Sequence, residues 1–532
     1  MKYSIATIPL ALATLVAGLG SPDCVNLFQS SQRLIPGLRP YVSRIYPAGS
    51  DFVGVGVTTP AHNLTEFCRF GANYNTSSTS SIQFEVWLPT VKRWNGRFAH
   101  VGGGGDMGTA MTKYGFAVAG TNAGHNGTSS DGTFAISNPE TQLDFGYRAV
   151  HLSTVFSKKI VREYYKKKPS YNYWIGCSTG GRQGMKEIQE YPDEYDGIAV
   201  TAPAQWFSLL VGWFLHAYYL NDNLAVPSQN IPASFFPSWN QEVLAQCDAI
   251  DGVKDKIILN PQACKPDVST VVCGSSSPSL FVNASTCLSD AQARSLQSIY
   301  QDWTSSSGEL LHPGYLPGSE VEWGGIVGPA PFQIAPDYFL YQVYNYSSVQ
   351  PPLRVNDTEL QRITQLSQAT NPGRYNAANP NLKPFFRRGG KVLEFHGLSD
   401  GVIPTFSSVQ YYDKVRTYTN SSLSKDYRLF HIPGMRHCGG GSGADGFGRP
   451  QQAEDYAGGA GQSPIFDRKH DSILALMEWV ERGNAPDSIV GARYVNRNKT
   501  QGVELTRLFC PYPQEGKYIG GDPNDAASYK CE

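Results

Sequence analysis

Short apolar runs separated by polar, glycine-containing breaks dominate two stretches of the chain. Between residues 82 and 204, the runs IQFEVWLP (82–89), RFAHVG (97–102), FAVAGTN (116–122), YNYWIG (171–176) and GIAVTAP (197–203) have strand length and a β-branched or aromatic bias. Residues 144–165 repeat apolar positions at helical spacing and predict an amphipathic helix between two of those strands. The alternation resumes with KVLEFHG (391–397), a helix over 406–418, YRLFHIPG (427–434) and the helix DSILALMEWVERG (471–483). Strands alternating with helices predict an α/β fold with a largely parallel sheet covered on both faces.

Residues 205–385 break this rhythm with aromatics, prolines, four cysteines and irregular polar segments. They read as one insertion folded over the carboxyl edge of the sheet as a lid. Its start, AQWFSLLVGWFLHAYYL, offers either a wall for an aromatic ring or packing between lid and sheet. No internal repeat or long low-complexity linker is visible.

Composition then narrows the class. The 532 residues carry 44 basic against 45 acidic side chains, and the one Lys run, KKK at 166–168, reads as a solvated bend. Nucleic acid is therefore not an expected partner. Residues 1–20 have one lysine, an apolar stretch from Ile5 to Val16 and small residues at the end, the layout of a cleaved secretory signal peptide. That stretch is too short to span a bilayer, which needs ~20 apolar residues, so no membrane partner is expected.

Export agrees with the eight N-x-S/T sequons, at Asn63, Asn75, Asn126, Asn283, Asn345, Asn356, Asn420 and Asn498. It also agrees with the even count of 10 cysteines. Spacing suggests local bridges Cys24–Cys68, Cys247–Cys264, Cys273–Cys287 and Cys510–Cys531, leaving Cys177 and Cys438 for each other. Zinc is the competing reading, but no CxxC pair exists.

The chemistry centres on WIGCSTGGRQG (174–184). Ser178 lies in a Gly-x-Ser-x-Gly frame between a strand and a helix, the context of the nucleophile elbow in α/β hydrolases. A serine nucleophile needs a base and an orienting acid, in this fold in the order Ser, Asp, His. Asp400 follows KVLEFHG and His437 follows YRLFHIPG, both at strand ends. His396 and His431 lie within strands, Asp413 lies in a helix, and His470 begins one. His125 ends an earlier strand and could line the site. Cys177 as nucleophile would point away from the apex of the turn.

For the oxyanion, the expected donors are the N–H of Thr179 and one from the run Gly102–Gly105, with Gly105 preferred and then Gly104. In the lid, CDAIDGVKDKIILNPQAC (247–264) holds Asp248, Asp251 and Asp255 around a glycine. That spacing suits either calcium or a solvated turn of aspartates.

The elbow GCSTGGRQG, the acid loop HGLSDGVIP, the base loop PGMRHCGG and the run VGGGG together resemble the tannase/feruloyl esterase family. So do WNGRF, YPDEYDG (191–197), FFRRGGK (385–391) and CPYP (510–513). The resemblance covers nearly the whole mature chain. It implies a disulfide between Cys177 and Cys438, and an α/β-hydrolase catalytic domain from 21–204 and 386–532 with a lid over 205–385. It also implies a structural calcium ion in that lid, held by Asp248, Asp251 and Asp255 with main-chain oxygens of Val253 and Ile257, and no organic cofactor. The implied activity is hydrolysis of phenolic-acid esters outside the cell. The esters are feruloyl, p-coumaroyl or caffeoyl groups on plant cell-wall saccharides, with galloyl esters of tannins as the alternative. A hydrolase-fold protein that only binds a partner typically lacks a triad member, and this chain has all three.

Overall fold

Nine strands form one sheet. They are β1 (Arg39–Tyr46), β2 (Phe67–Asn75), β3 (Ser81–Pro89), β4 (Arg97–Val101), β5 (Ala117–Thr121), β6 (Tyr171–Cys177), β7 (Gly197–Thr201), β8 (Lys391–Gly397) and β9 (Tyr427–Ile432). Their order is β1-β2-β3-β5-β4-β6-β7-β8-β9. The first three and the β3–β5 pair are antiparallel. From β5 to β9 every pair is parallel. The computed structural model describes residues 23–55, 60–103, 107–128, 130–221, 230–451 and 459–532. The expected signal segment 1–20 lies outside them.

The central strands are apolar along their whole length because helices cover both faces, and every residue of β7 is buried. One face carries α1 (Ala149–Tyr165) and α2 (Thr179–Glu190), where Met185, Ile188, Ile160 and Val161 join the larger core. α1 is shorter than the predicted helix because Asp144–Arg148 forms a single π-helical turn ahead of it. Between α1 and α2, Lys158 sits 3.7 Å from Glu194 and serves as a cation for the buried carboxyl groups of Glu194 and Glu187.

Between β7 and β8 the chain leaves the sheet. This insertion contains α3 (Phe207–Asn221), α4 (Phe236–Cys247), α5 (Asp290–Ser298) and α6 (Asp357–Thr370). α3 is the apolar segment that could have lined a site. It is apolar around its whole circumference and nearly all buried, with Phe207 against Tyr338 and Tyr375, and Trp213 against His312 and Tyr315. It is the core of the insertion.

After β8 come α7 (Phe406–Thr419), β9 and α8 (Ser472–Arg482), the last capped by Asp471, whose carboxylate accepts the N–H groups of Ile473 and Leu474. β1, β2 and the hairpin Ile489–Tyr494 with Val503–Phe509 carry no expectation from the apolar pattern. Among the described residues, no helix is long and apolar enough to cross a membrane.

Candidate active site

The elbow forms where β6 runs into α2. Ser178 adopts φ 58° and ψ −118°, a conformation costly for a residue with a side chain, and its backbone is held from three sides. Its N–H donates to the Thr201 carbonyl at 2.9 Å, and its own carbonyl accepts from Arg182 at 3.0 Å and Ala204 at 3.1 Å. The flanking glycines follow from close approach. A Cβ on Gly180 would lie 2.1 Å from the Gly103 carbonyl oxygen, and one on Gly176 would lie 2.7 Å from that of Gly180. Helix and glycine run therefore touch backbone to backbone.

Thr179 is the first residue of α2, so its N–H has no acceptor within the helix, and the helix dipole there favours negative charge. Gly102 donates its N–H to the Ile175 carbonyl, and Gly103 donates to Gln183 Oε1 at 3.1 Å. Both are committed to holding the loop. Gly104 and Gly105, the expected second donors, lie outside the described residues.

Asp400 follows β8 and is 1% exposed. Its Oδ2 lies 2.9 Å from His437 Nδ1 and 3.2 Å from His396 Nε2. Its Oδ1 accepts the N–H groups of Val402 at 2.9 Å and Ile403 at 2.8 Å. Burial alone would raise its pKa. The charge of His437 and the hydrogen bonds from His396 and His437 outweigh burial and hold the carboxyl below the usual carboxylate range. Asp400 is thus an anion fixed against one edge of the His437 ring. With Nδ1 on Asp400, Nε2 is the ring nitrogen that would exchange a proton with a nucleophile.

The loop that carries His437 is joined to the elbow covalently. Cys177 and Cys438 form a disulfide with Cα atoms 6.1 Å apart, across 261 residues of sequence. Both are buried, and Cys438 has φ 61°. The other four bridges are those that spacing suggested: Cys24–Cys68, Cys247–Cys264, Cys273–Cys287 and Cys510–Cys531. With Cys177 oxidised, it has no thiol to act as a nucleophile.

The other candidate groups are engaged elsewhere. His125 stacks on Phe134 with centroids 4.4 Å apart. Asp413 pairs with Arg416 at 3.1 Å, and His470 with Asp467 at 2.7 Å. His396 is packed in β8 as expected, and its ring also braces Asp400, which its position in a strand did not announce.

Sequence reading missed Glu322. It lies in a 3-10 turn of the insertion, Glu320–Gly325, and its Oε2 accepts the N–H of Gly401 at 3.0 Å and of His437 at 3.0 Å. Burial and the neighbouring Asp400 charge push its pKa up, against the charge of His437 and those two N–H groups. No motif marks it, since one carboxylate in SEVEWGG resembles any polar turn.

In the insertion, Asp248, Asp251 and Asp255 organise one loop inside the Cys247–Cys264 bridge. Asp248 Oδ1 accepts from Ile257 at 3.1 Å, Asp251 from Val253 at 3.0 Å and Leu259 at 3.2 Å, and Asp255 from Ile257 at 3.0 Å. Asp255 also pairs with Arg507. Burial pushes the pKa values of Asp251 and Asp255 up, and repulsion from Asp248 adds to it. Of the three, only Asp255 is paired with a cation among the described residues, so Asp248 and Asp251 leave net negative charge on hard oxygen donors, the donor chemistry that calcium takes. The loop touches the base loop, where Ser442 Oγ donates to the Lys256 carbonyl at 2.6 Å.

The parallel sheet, the strand–elbow–helix turn and acid and base loops at successive strand ends define an α/β hydrolase. The family model for tannase and feruloyl esterase matches residues 68–532, and the chain belongs to that family, which makes it a carboxylic ester hydrolase. A probable feruloyl esterase B-2 of Aspergillus terreus is 35% identical over 480 residues, 88% of this chain and 86% of its own. A probable feruloyl esterase B-1 of Aspergillus oryzae is 33% identical over 489 residues, 90% and 86% of the two chains. The crystal structure of feruloyl esterase B from Aspergillus oryzae superposes with TM-score 0.83 at 32% identity, covering 95% of this chain and 99% of that one. Tannin acyl hydrolase from Aspergillus niger shares the fold, with TM-score 0.73 at 22% identity over 95% and 94% of the chains.

Proposed function

We propose that the protein is a secreted serine esterase that hydrolyses phenolic-acid esters, with feruloyl, p-coumaroyl and caffeoyl esters of plant cell-wall saccharides as substrates. The observation that carries this reading is the 2.9 Å bond between buried Asp400 and His437 Nδ1, with the residue after His437 tied by disulfide to the residue before Ser178. Ser178 Oγ attacks the ester carbonyl while His437 Nε2 takes its proton. The tetrahedral oxyanion is met by the N–H of Thr179 and a second donor from the glycine run, Gly105 or Gly104. His437 then returns the proton to the leaving alcohol. Water, deprotonated by His437, attacks the acyl-enzyme, and the phenolic acid departs as Ser178 regains its proton. Asp400 orients the ring and supports the imidazolium throughout.

Feruloyl over galloyl esters follows from the feruloyl esterase descriptions of the relatives above 30% identity, whereas the tannin acyl hydrolase likeness at 22% speaks for the fold alone. Export and glycosylation are supported by the five disulfides and by seven sequon asparagines that are exposed. The eighth, Asn498, is half-buried, with Oδ1 taken by Thr500. Calcium, held by Asp248, Asp251 and Asp255 with the main-chain oxygens of Val253 and Ile257, would neutralise the loop that braces the base loop, and supplies no step of the chemistry.

Parallel assays of wild type and Ser178→Ala on methyl ferulate, methyl caffeate and methyl gallate test the reading. Turnover of the first two, abolished in the variant together with fluorophosphonate labelling, is the expected result. Full activity in Ser178→Ala, or exclusive turnover of methyl gallate, would overturn it.

A further inference from the structure

We infer that Glu322, carried by the insertion, is a positioning residue for the triad: its carboxylate locks the acid loop and the base loop together, so that triad alignment depends on a seated insertion. This rests on the assignment of Ser178, His437 and Asp400 above.

The two N–H groups that Glu322 accepts belong to different loops. Gly401 directly follows Asp400 at the end of β8, and the His437 amide is the backbone of the base itself, beyond β9. Asp400 fixes the His437 ring from Nδ1, and Glu322 fixes the backbone that carries the ring. With the Cys177–Cys438 bridge one residue on, these contacts hold both the ring and the backbone that carries it.

The turn bearing Glu322 is itself rigid. Glu320, fully buried, accepts from Tyr300 Oη at 2.7 Å, Asn240 Nδ2 at 2.6 Å and the Gly318 N–H at 2.8 Å. Trp323 Nε1 donates to Ser319 Oγ at 3.0 Å. The turn also lies tight on the acid loop. A Cβ on Gly401 would sit 2.4 Å from the Ser319 carbonyl oxygen and 2.9 Å from Glu322 Cβ, and Tyr315 Oη donates to the Val402 carbonyl at 3.2 Å. If the turn lifts, two amides beside the acid and at the base lose their shared acceptor.

Displacement of a reacting group by about 1 Å costs roughly 100-fold in rate, so the effect falls on kcat rather than on KM. What the amides require is an acceptor of glutamate length. Glu322→Gln keeps that length and an acceptor oxygen while removing the charge. Glu322→Asp keeps the charge but falls one methylene short of bridging both amides. Glu322→Leu removes the acceptor.

The test is kcat and KM on methyl ferulate for these three variants, with melting temperature to confirm folding. The expected order of kcat is wild type, then Gln within about threefold, then Asp and Leu lower by about tenfold or more, with KM within about twofold throughout. If Leu does not fold, the Gln and Asp pair decides alone. Asp outperforming Gln would mean that the charge matters instead, and both matching wild type would mean that the contact does nothing. Either result, or an effect on KM only, overturns the inference. Activity surviving in Ser178→Ala would instead overturn the triad, a separate outcome read in a separate variant.

Discussion

Cys177 and Cys438 bond the residue before Ser178 to the residue after His437, with Cα atoms 6.1 Å apart. The bridge closes the widest sequence gap among the five disulfides, and it does so between the neighbours of the proposed nucleophile and the proposed base.

Removing it is expected to act on stability and on rate. In the chain-entropy account a loop of this length is worth roughly 5 kcal/mol, so Cys177→Ala/Cys438→Ala should melt well below wild type. Measured well below its own melting point, its kcat should still fall by about tenfold or more, because the base loop is no longer held against the elbow. Unchanged kcat under those conditions would reduce the bridge to a stabilising role.

Asp400→Asn should lower kcat by about 10³- to 10⁴-fold with little change in KM, since an amide can present N–H to His437 Nδ1 and favour the wrong tautomer. The variant should fold, because Asn keeps an oxygen for the amides of Val402 and Ile403. Steady-state kinetics and a melting curve decide it, and a loss of less than about tenfold would remove Asp400 from the triad.

His100 in β4 is buried, with Nδ1 on Thr154 Oγ1 at 2.7 Å, and burial, helped by nearby Lys158, pushes its pKa down to about 3. The folded chain keeps it neutral while the unfolded chain protonates it near 6.5. Its contribution to stability is complete above that value and is lost as pH falls toward 3. His100→Phe should flatten this dependence by up to about 1.4 kcal/mol per pH unit. Denaturant unfolding at pH 7 and pH 5 measures it, and identical slopes for variant and wild type would show that His100 titrates alike in both states.

Chelation should lower the melting temperature by several degrees and added calcium should restore it, since a ligand at 100 times its Kd stabilises by about 2.7 kcal/mol. Asp251→Asn should melt like the chelated protein and gain little from calcium. A melting curve indifferent to chelator would mean that Arg507 alone satisfies the loop.

The parallel half of the sheet is legible in the sequence because a strand buried on both faces must be apolar throughout, as GIAVT in β7 is. β1, in contrast, is an edge strand with largely exposed or half-exposed residues, and RPYVSRIY gives no such signal. The positions of Ser178, Asp400 and His437 were readable because each follows a strand end in a short loop that the fold constrains, and the structure brings Asp400 and His437 within 2.9 Å. The brace from His396 was hidden because its residue looked like core. Glu322 was hidden because its role exists only once a turn of the insertion lies on loops more than 75 residues away in sequence.

The contact between Glu322 and the two loops limits how such an enzyme can be re-engineered. The insertion invites grafting, as a source of new walls for a different ring. A graft that brings only those walls would also withdraw the acceptor shared by Gly401 and His437, and would turn its new ester over slowly however well it bound it. A transplanted insertion must therefore deliver a glutamate or glutamine at that one turn before any new binding surface it carries can be judged by rate.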